Sequence, residues 1–542
     1  MVTHSLSYQL RWAWNLTKGY RWNLSAVLFL ELIAIVLSLW FVLESKHAVD
    51  LAMGLGSGSI KLTLLWVTIA VVGGVGMRLL AARLSEMVRL RMTIDVQQEL
   101  TEGQMMSSWK FVKDWHTGDL MVRIQSDGNE VVQMLSQSAI DFVVTLLRLI
   151  ASFAFLWTMD PMLAFMIVAI SPLFLFAKLY FRKMRKLSKD VKAAESNFGK
   201  VVQESLKFRM LVRALGLTRA RKQKLAQSQE QLYALKKEQL NFSLFTQGVT
   251  KLTINGGYLL TFVWGVYRLQ AGQISFGTMT AFLQLVGRVQ SPILQSITFV
   301  PAFVRFRTSV DRLLELILSE KEVMAPSQQI PNPQRIVISE LWFRYADHTL
   351  IDNLNAEINR GEPLAIIGSS GRGKTTLIRL LLALIKPDAG NIWIDDDRGR
   401  IALSNAHRMN IAYVPQGNTL FSGTIRENVA AGETAVMEQR IKEAIRLACA
   451  EFVYALPDGL DTIVGESGYG LSEGQAQRIA IARAMMSETS IWLFDEITSA
   501  LDTETAEQVV NRLMEAGKDK IILFVTHDLW LAEQCSQTIY MQ

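Results

Sequence analysis

The sequence predicts a multi-domain membrane protein: an all-α domain of six membrane-spanning helices, followed by an α/β domain built around a phosphate-binding loop. Three observations carry that reading. Six apolar stretches of membrane-spanning length precede about residue 310. From Ile336 onward, strand-length apolar runs alternate with helical ones. The string GSSGRGKT, Gly368 to Thr375, lies between one such strand and a helix. At 542 residues the chain is longer than one hydrophobic core usually supports. Half of it, 50%, is hydrophobic, more than a soluble enzyme needs, and the excess falls in the first part. A net charge of +6 could indicate a nucleic-acid partner. A membrane protein, however, gathers Lys and Arg on its cytoplasmic side for insertion, so topology is the favoured cause and no nucleic acid is expected. The two cysteines, Cys449 and Cys535, have neither metal-ligand spacing nor the density of an oxidised framework, and read as buried thiols.

In chain order, the spans are expected at Leu24 to Leu43, Leu62 to Ala82, Ala139 to Met159, Pro161 to Phe181, Ser243 to Tyr267 and Phe276 to Phe299. The first begins behind a basic, Trp-rich lead and is followed by others, so it reads as a span and not as a cleavable signal. Lys251, Asn255 and Arg288 interrupt the last two. Short connections, TMDP and RLQAGQIS, alternate with long ones, and the basic runs FRKMRKLSKDVK and TRARKQK place the long ones and both termini in the cytoplasm. These long connections are rich in helix formers and predict extensions of the spans, reversing at Gly216 to Thr218 in one and within His116 to Asn129 in the other. A Pro-rich, charged stretch after Leu318 marks a linker, which gives a membrane domain over 1–318, a linker over 319–335 and a soluble domain over 336–542.

The loop string has the context its chemistry requires. Gly368, Gly371 and Gly373 let backbone N–H groups, with those of Ser369, Ser370, Arg372 and Thr376, close around phosphate oxygens at a helix N-terminus. Lys374 reaches the outer phosphates of a nucleotide, and Thr375 offers a hydroxyl to Mg²⁺. Downstream, SIWLFDE is a buried strand ending in two carboxylates, of which Asp495 can hold the Mg²⁺ shell and Glu496 can polarise an attacking water.

The stretch LSEGQAQRIAIARA resembles the signature of ATP-binding-cassette proteins, and six spans ahead of it resemble their exporter class, a half-transporter with one membrane domain fused to one cassette. The resemblance runs along essentially the whole chain. It implies ATP and Mg²⁺ as ligands and ATPase activity. It also implies that Ser472, Gly474 and Gln475 open a helix whose N-terminus meets the γ-phosphate of a nucleotide held by another cassette. By the same resemblance Tyr345 in LWFRYAD stacks on adenine, Gln416 in YVPQ senses Mg²⁺ and water, Asp502 in SALD belongs to the site, and His527 in VTHD touches the γ-phosphate. Two departures stand out: Glu473 replaces the usual Gly of the signature, and only 15 residues follow His527, where the family commonly adds another strand and helices, which leaves the edge stability of the last sheet open.

Because the family's nucleotide sits between opposing cassettes, the resemblance implies pairing. With Glu496 and His527 both present a homodimer is favoured, and a heterodimer stays open. The tips near His116 to Asp119 and Gly216 to Arg221 resemble coupling elbows, unless they are plain solvated hairpins. Glu31, Arg148, Lys251 and Arg288 fall inside spans, where ionisable groups are costly unless they face protein or water. They are candidates for a substrate cavity suited to anionic or amphipathic cargo, although Glu31 could pair with Arg148 for structure alone. Gly256 and Gly257 read as helix-packing positions. The function expected is ATP-driven export of a drug, peptide or lipid across the cytoplasmic membrane. The alternative is an ATP-gated regulator or channel on the same scaffold.

Overall fold

The computed structural model describes residues 5–109, 111, 115, 117–169, 173–345, 348–369, 371–431, 438–465 and 470–541. The chain divides into two compact units, Met1–Met105 with His116–Leu318, and Met106–Trp115 with Ser319–Gln542.

The first unit is helical. Its helices are α1 (Leu6–Leu16), α2 (Arg21–Ala52), α3 (Ile60–Met105), α4 (Gly118–Met159), α5 (Pro161–Ala169), α6 (Leu173–Lys207), α7 (Arg209–Ala214), α8 (Thr218–Gln270) and α9 (Phe276–Ile317). Among the described residues, α2, α3 and α4 are long and apolar enough to cross a membrane, and exposed side chains such as Phe29, Val36, Val72 and Leu79 line α2 and α3. The fourth stretch is divided between α5 and α6, with residues 170–172 outside the described residues. The fifth and sixth lie within α8 and α9. At about 1.5 Å per residue, α8 is roughly 80 Å long, far more than a bilayer needs.

The TMDP turn shows how short connections are held. Asp160 accepts hydrogen bonds from the backbone N–H groups of Met162 (3.1 Å) and Leu163 (3.0 Å), capping α5, whose first residue is Pro161. Its other oxygen accepts from Trp264 Nε1 (3.1 Å) and pairs with Arg268 (3.2 Å). Leu156, Leu163, Ile167, Phe282, Leu285 and Val289 build the adjacent core.

Helix α4 overturns one expectation. His116 lies outside the described residues, but the stretch after it is helical throughout, so the DLMVRIQSDGN signals do not make a turn. The polar residues are absorbed by two π-helical stretches, Arg123–Asp127 and Met134–Ser138, and by ion pairs. Arg123, buried, donates to Asp119 (2.9 Å) and Glu315 (2.8 Å), while Asp127 pairs with Arg312 (3.2 Å) and accepts from Ser309 (3.0 Å). Met106–Trp115, which lies between α3 and α4 in the sequence, groups with the second unit. In the other long connection Gly216 (φ +63°) turns the chain between α7 and α8.

Among its described residues, the second unit holds a two-stranded ribbon of β7 (Gly423–Thr424) and β8 (Ile463–Val464) and two large sheets. One is antiparallel in the order β2–β1–β4–β5, with β1 (Pro333–Tyr345), β2 (His348–Asn359), β4 (Ala389–Asp396) and β5 (Gly399–Ala402). The other is parallel in the order β11–β3–β10–β9–β6, with β3 (Leu364–Ile367), β6 (Ile411–Val414), β9 (Ile491–Asp495), β10 (Ile521–Thr526) and β11 (Gln537–Tyr540). Every residue of β9 and β10 is buried, as parallel strands covered on both faces require. The first strand begins at Pro333, three residues before the Ile336 read from the sequence. At the end of the sequence β11 forms the edge of this sheet, pairing with β3 from Gln537 to Tyr540. The helices that bear on the site are α10 (Lys374–Leu381), α11 (Ile425–Ala430), α12 (Glu438–Leu447), α13 (Glu473–Met485), α14 (Thr503–Ala516) and α15 (Leu529–Glu533).

Candidate nucleotide site

Register alone brings the reactive residues together. Ile367 at the end of β3 pairs with Thr526 of β10, and Asp495 at the end of β9 pairs with Val525. The next residues of the three strands, Gly368, His527 and Glu496, therefore leave the same carboxyl edge, where open α/β sheets bind ligands.

After β3 the chain turns through Gly371 (φ +87°) and Gly373 (φ +91°), left-handed conformations that a side chain disfavours. A Cβ on Gly373 would lie 2.8 Å from the Leu350 carbonyl, and one on Gly368 would lie 2.9 Å from that of Met541. The turn delivers the chain directly into α10, so the free N–H groups of its first turn ring the loop. Lys374 is 8% exposed, and its ammonium donates to the Gly368 (2.5 Å) and Ser369 (3.4 Å) carbonyls. It stands 3.9 Å from Glu496 Oε1.

Glu496 is the meeting point. Its backbone adopts φ +50°, leaving the sheet while its N–H still donates to the Val525 carbonyl at 2.8 Å. The carboxylate accepts from Gln416 Nε2 (2.5 Å), with His527 Nδ1 at 3.9 Å. A cavity of about 580 Å³ opens here. Tyr345, Gly368, Ser369, Gly371, Gly373, Lys374, Thr375, Thr376, Gln416, Glu496 and His527 line it, all singled out from sequence. Tyr345 is held edge-on against Phe343, centroids 4.9 Å apart at 85°. Ser370 lies outside the described residues, and Arg372 is exposed and does not line the cavity.

Asp495 is 3% exposed, and burial, reinforced by the neighbouring Glu496 charge, pushes its carboxyl up to about 6. The Tyr413 phenol rises to about 12, by burial first and by Asp495 second. Thr375, Gln416 and Asp495 offer hydroxyl, amide and carboxylate oxygens, the donor types that suit Mg²⁺, and a divalent cation would offset the crowded negative charge of Asp495 and Glu496. The residues present fit the ion.

The signature residues sit elsewhere in this unit. Ser472 caps α13, accepting from Gln475 N (3.2 Å), and Gln475 Oε1 accepts from Ser472 N (2.9 Å) in return. A Cβ on Gly474 would lie 2.6 Å from the Ala500 carbonyl, so this glycine permits close approach to the turn after β9. Glu473 opens the helix, exposed. Asp502 caps α14 through Thr505 N (3.0 Å). None of these four, nor Gln475, lines the cavity.

Sequence reasoning missed three supporting residues. Leu350 lines the cavity, and Met541 backs the loop behind Gly368. Gln477, 1% exposed, donates to the Glu496 carbonyl at 3.0 Å. A glutamine in helical phase with buried Ile481 and Ala484 is the signal that could have found it. The elbow contributes as well: the Arg379 guanidinium of α10 lies 4.9 Å from the centre of the Trp109 ring, and the charge of Arg379 acts on Asp495.

In the first unit, Glu31 and Arg148 pair at 3.6 Å and line a second cavity, of about 400 Å³. The other two cations expected there lie apart. Arg288 donates to the Ser38 carbonyl (2.7 Å) beside Phe41, and Lys251 is exposed on α8. Gly257 packs, since a Cβ would strike Gln290, whereas a Cβ on Gly256 would meet nothing within 4 Å among the described residues.

A family model described as ABC transporter matches residues 351–499, and one described as ABC transporter transmembrane region matches residues 24–293, together roughly three quarters of the chain. Among curated relatives, the ATP-dependent lipid A-core flippase of Syntrophus aciditrophicus is 28% identical over 83% of this chain and 75% of its own. The leukotoxin translocation ATP-binding protein LktB of Mannheimia glucosida is 29% identical over 80% of this chain, and the match spans only 62% of that protein. A solved bacterial Atm1-family ABC exporter with ATP bound superimposes with a TM-score of 0.80, covering 96% of this chain and 93% of that one at 23% identity, a likeness of fold.

Proposed function

Because this chain belongs to the ABC transporter family, with the exporter-type membrane region and the ATP-binding cassette in one polypeptide, we propose that it drives export of a hydrophobic or amphipathic compound by hydrolysing ATP between two paired cassettes. The chain is an integral membrane protein and an ATPase of that family. The finer reading concerns which residues act, how chains pair and what is moved.

One observation carries it: Glu496 stands where Lys374, Gln416 and His527 converge on the phosphate loop. A carboxylate fixed there accepts the proton of a water as that water attacks the γ-phosphate. The loop N–H groups and Lys374 bear the phosphate charge, Gln416 and His527 orient the water and the terminal phosphate, and Tyr345 supports adenine. Thr375, Gln416 and Asp495 would hold Mg²⁺, which would supply neutralisation of phosphate charge. Ser472 and Gly474, away from this cavity, serve the nucleotide of a second copy, so a homodimer carries two equivalent sites. The cassettes lie in the cytoplasm with both termini. The elbow Met106–Trp115 groups with the nucleotide-binding unit while joining α3 to α4 by covalent chain, which gives cassette motion a route into the membrane helices.

The test is Glu496→Gln in lipid vesicles. ATP binding should persist while turnover falls by about a hundredfold or more, the usual scale for removing a general base. Undiminished turnover would remove Glu496 from its role. Turnover without accumulation of any lipid, peptide or drug would favour an ATP-gated regulator or channel instead.

A further inference from the structure

The cavity of about 400 Å³ in the first unit lies among α2, α4 and α9, and its charge differs from what the sequence leads one to expect. Three basic groups and one acidic group were candidates. Two of the basic ones lie elsewhere, and Asp141, two turns before Arg148 on the same face of α4, lines the wall. Arg148 is committed to Glu31 at 3.6 Å, and it is also the cation that acts electrostatically on Asp141. Among the groups that line the cavity, two carboxylates face one cation, so one negative charge is left over. Two further cations stand nearby without lining the cavity, Arg288 on the Ser38 carbonyl and Arg78 on the Gly74 carbonyl at 3.2 Å, and the cation whose charge acts on Asp141 is Arg148.

Beside Asp141 the wall is aromatic. Phe142 of α4 stacks on Phe299 of α9, centroids 4.4 Å apart and 25° from parallel, and both rings line the cavity. A surplus carboxylate next to aromatic faces, in a pocket whose remaining wall carries hydroxyls, an amide and the Glu31–Arg148 pair, is the chemistry that recognises an organic cation. We propose that this cavity binds a lipophilic cation, an ammonium or phosphonium centre on an apolar body, with Asp141 as its counter-charge and the Phe142–Phe299 pair as its aromatic wall. As an identification of cargo this rests on the export reading, but the binding itself does not require ATP.

Binding of tetraphenylphosphonium and of its isosteric anion, tetraphenylborate, to the full-length protein in detergent without nucleotide separates the two questions. The cation should bind about tenfold tighter or better. Asp141→Asn should weaken it about tenfold, Asp141→Glu should restore it, and Glu31→Gln, which frees Arg148, should move preference toward the anion. If Asp141→Asn does not fold, Phe142→Leu serves, with a loss of about threefold or more expected from the missing ring. Equal affinity for the two ions, or a cation affinity untouched by Asp141→Asn or, in its place, by Phe142→Leu, overturns the proposal. Glu496→Gln should leave cation affinity unchanged, so loss of turnover there tests the ATP-driven reading without bearing on the cavity.

Discussion

Asp495 carries an electrostatic cost in the nucleotide-free chain, and its sign is fixed by its surroundings. Its carboxyl titrates near 6 in the fold, against an ordinary 3.8, because burial and Glu496 disfavour its charge. A raised acid contributes stability that is fully present below its unfolded value and is lost as pH rises through about 6. The difference amounts to at most about 3 kcal/mol. Nucleotide-free protein should therefore melt at a lower temperature at pH 7.5 than at pH 5, and Asp495→Asn should flatten that part of the slope. An identical slope in the variant would show that other groups set it. If Asp495 holds Mg²⁺ as proposed, Mg²⁺-dependent nucleotide affinity should run the opposite way, weakening below pH 6 as its carboxylate is protonated. Gly474 makes a steric case at the same scale. A methyl group 2.6 Å from the Ala500 carbonyl forces the start of α13 to shift, so Gly474→Ala should lower ATPase turnover several-fold while leaving nucleotide affinity at the loop near its starting value.

At the scale of elements, α13 depends on its first turn. The reciprocal bonds of Ser472 and Gln475 satisfy two N-terminal groups, and Ser472→Ala should cost about 1 kcal/mol of stability, read as a lower denaturant midpoint of the nucleotide-binding unit. An unchanged midpoint would mean that solvent caps the helix equally well. Elements such as this were legible because their signals are local: a Ser with Gln three residues on, or a strand running into GSSGRGKT. What was not legible depended on partners distant in sequence. The DLMVRIQSDGN stretch carries turn residues, yet Asp119, Arg123 and Asp127 find Glu315, Arg312 and Ser309 on α9 and the helix continues through two π-helical stretches. Asp141 was read as part of an apolar span, and only packing with α2 and α9 reveals it as a cavity wall. A hydrogen bond likewise reassigned Arg288, whose partner Ser38 lies 250 residues away.

For the whole molecule, the phosphate loop and the signature lie apart within one chain, and that separation makes the pairing of chains testable by complementation. Ser472 is exposed at the start of α13, so Ser472→Trp folds with little more than the loss of a cap, while its bulk blocks a nucleotide presented by an opposing cassette. Lys374→Ala disables the loop. Suppose one chain of a purified, differently tagged dimer carries Lys374→Ala and the other Ser472→Trp. If each site draws its loop from one chain and its signature from the other, one site holds both defects and the second holds neither, and the dimer turns over ATP. If loop and signature serve the same chain's nucleotide, both sites are broken. Placing both substitutions on one chain beside an unaltered partner inverts the outcome: shared sites are both lost, and a self-contained site survives. Activity in the first arrangement and none in the second is the expected result, and the reverse pattern rules out a shared site. The readout does not depend on the cargo, because turnover is measured in both arrangements with the same pair of side chains changed.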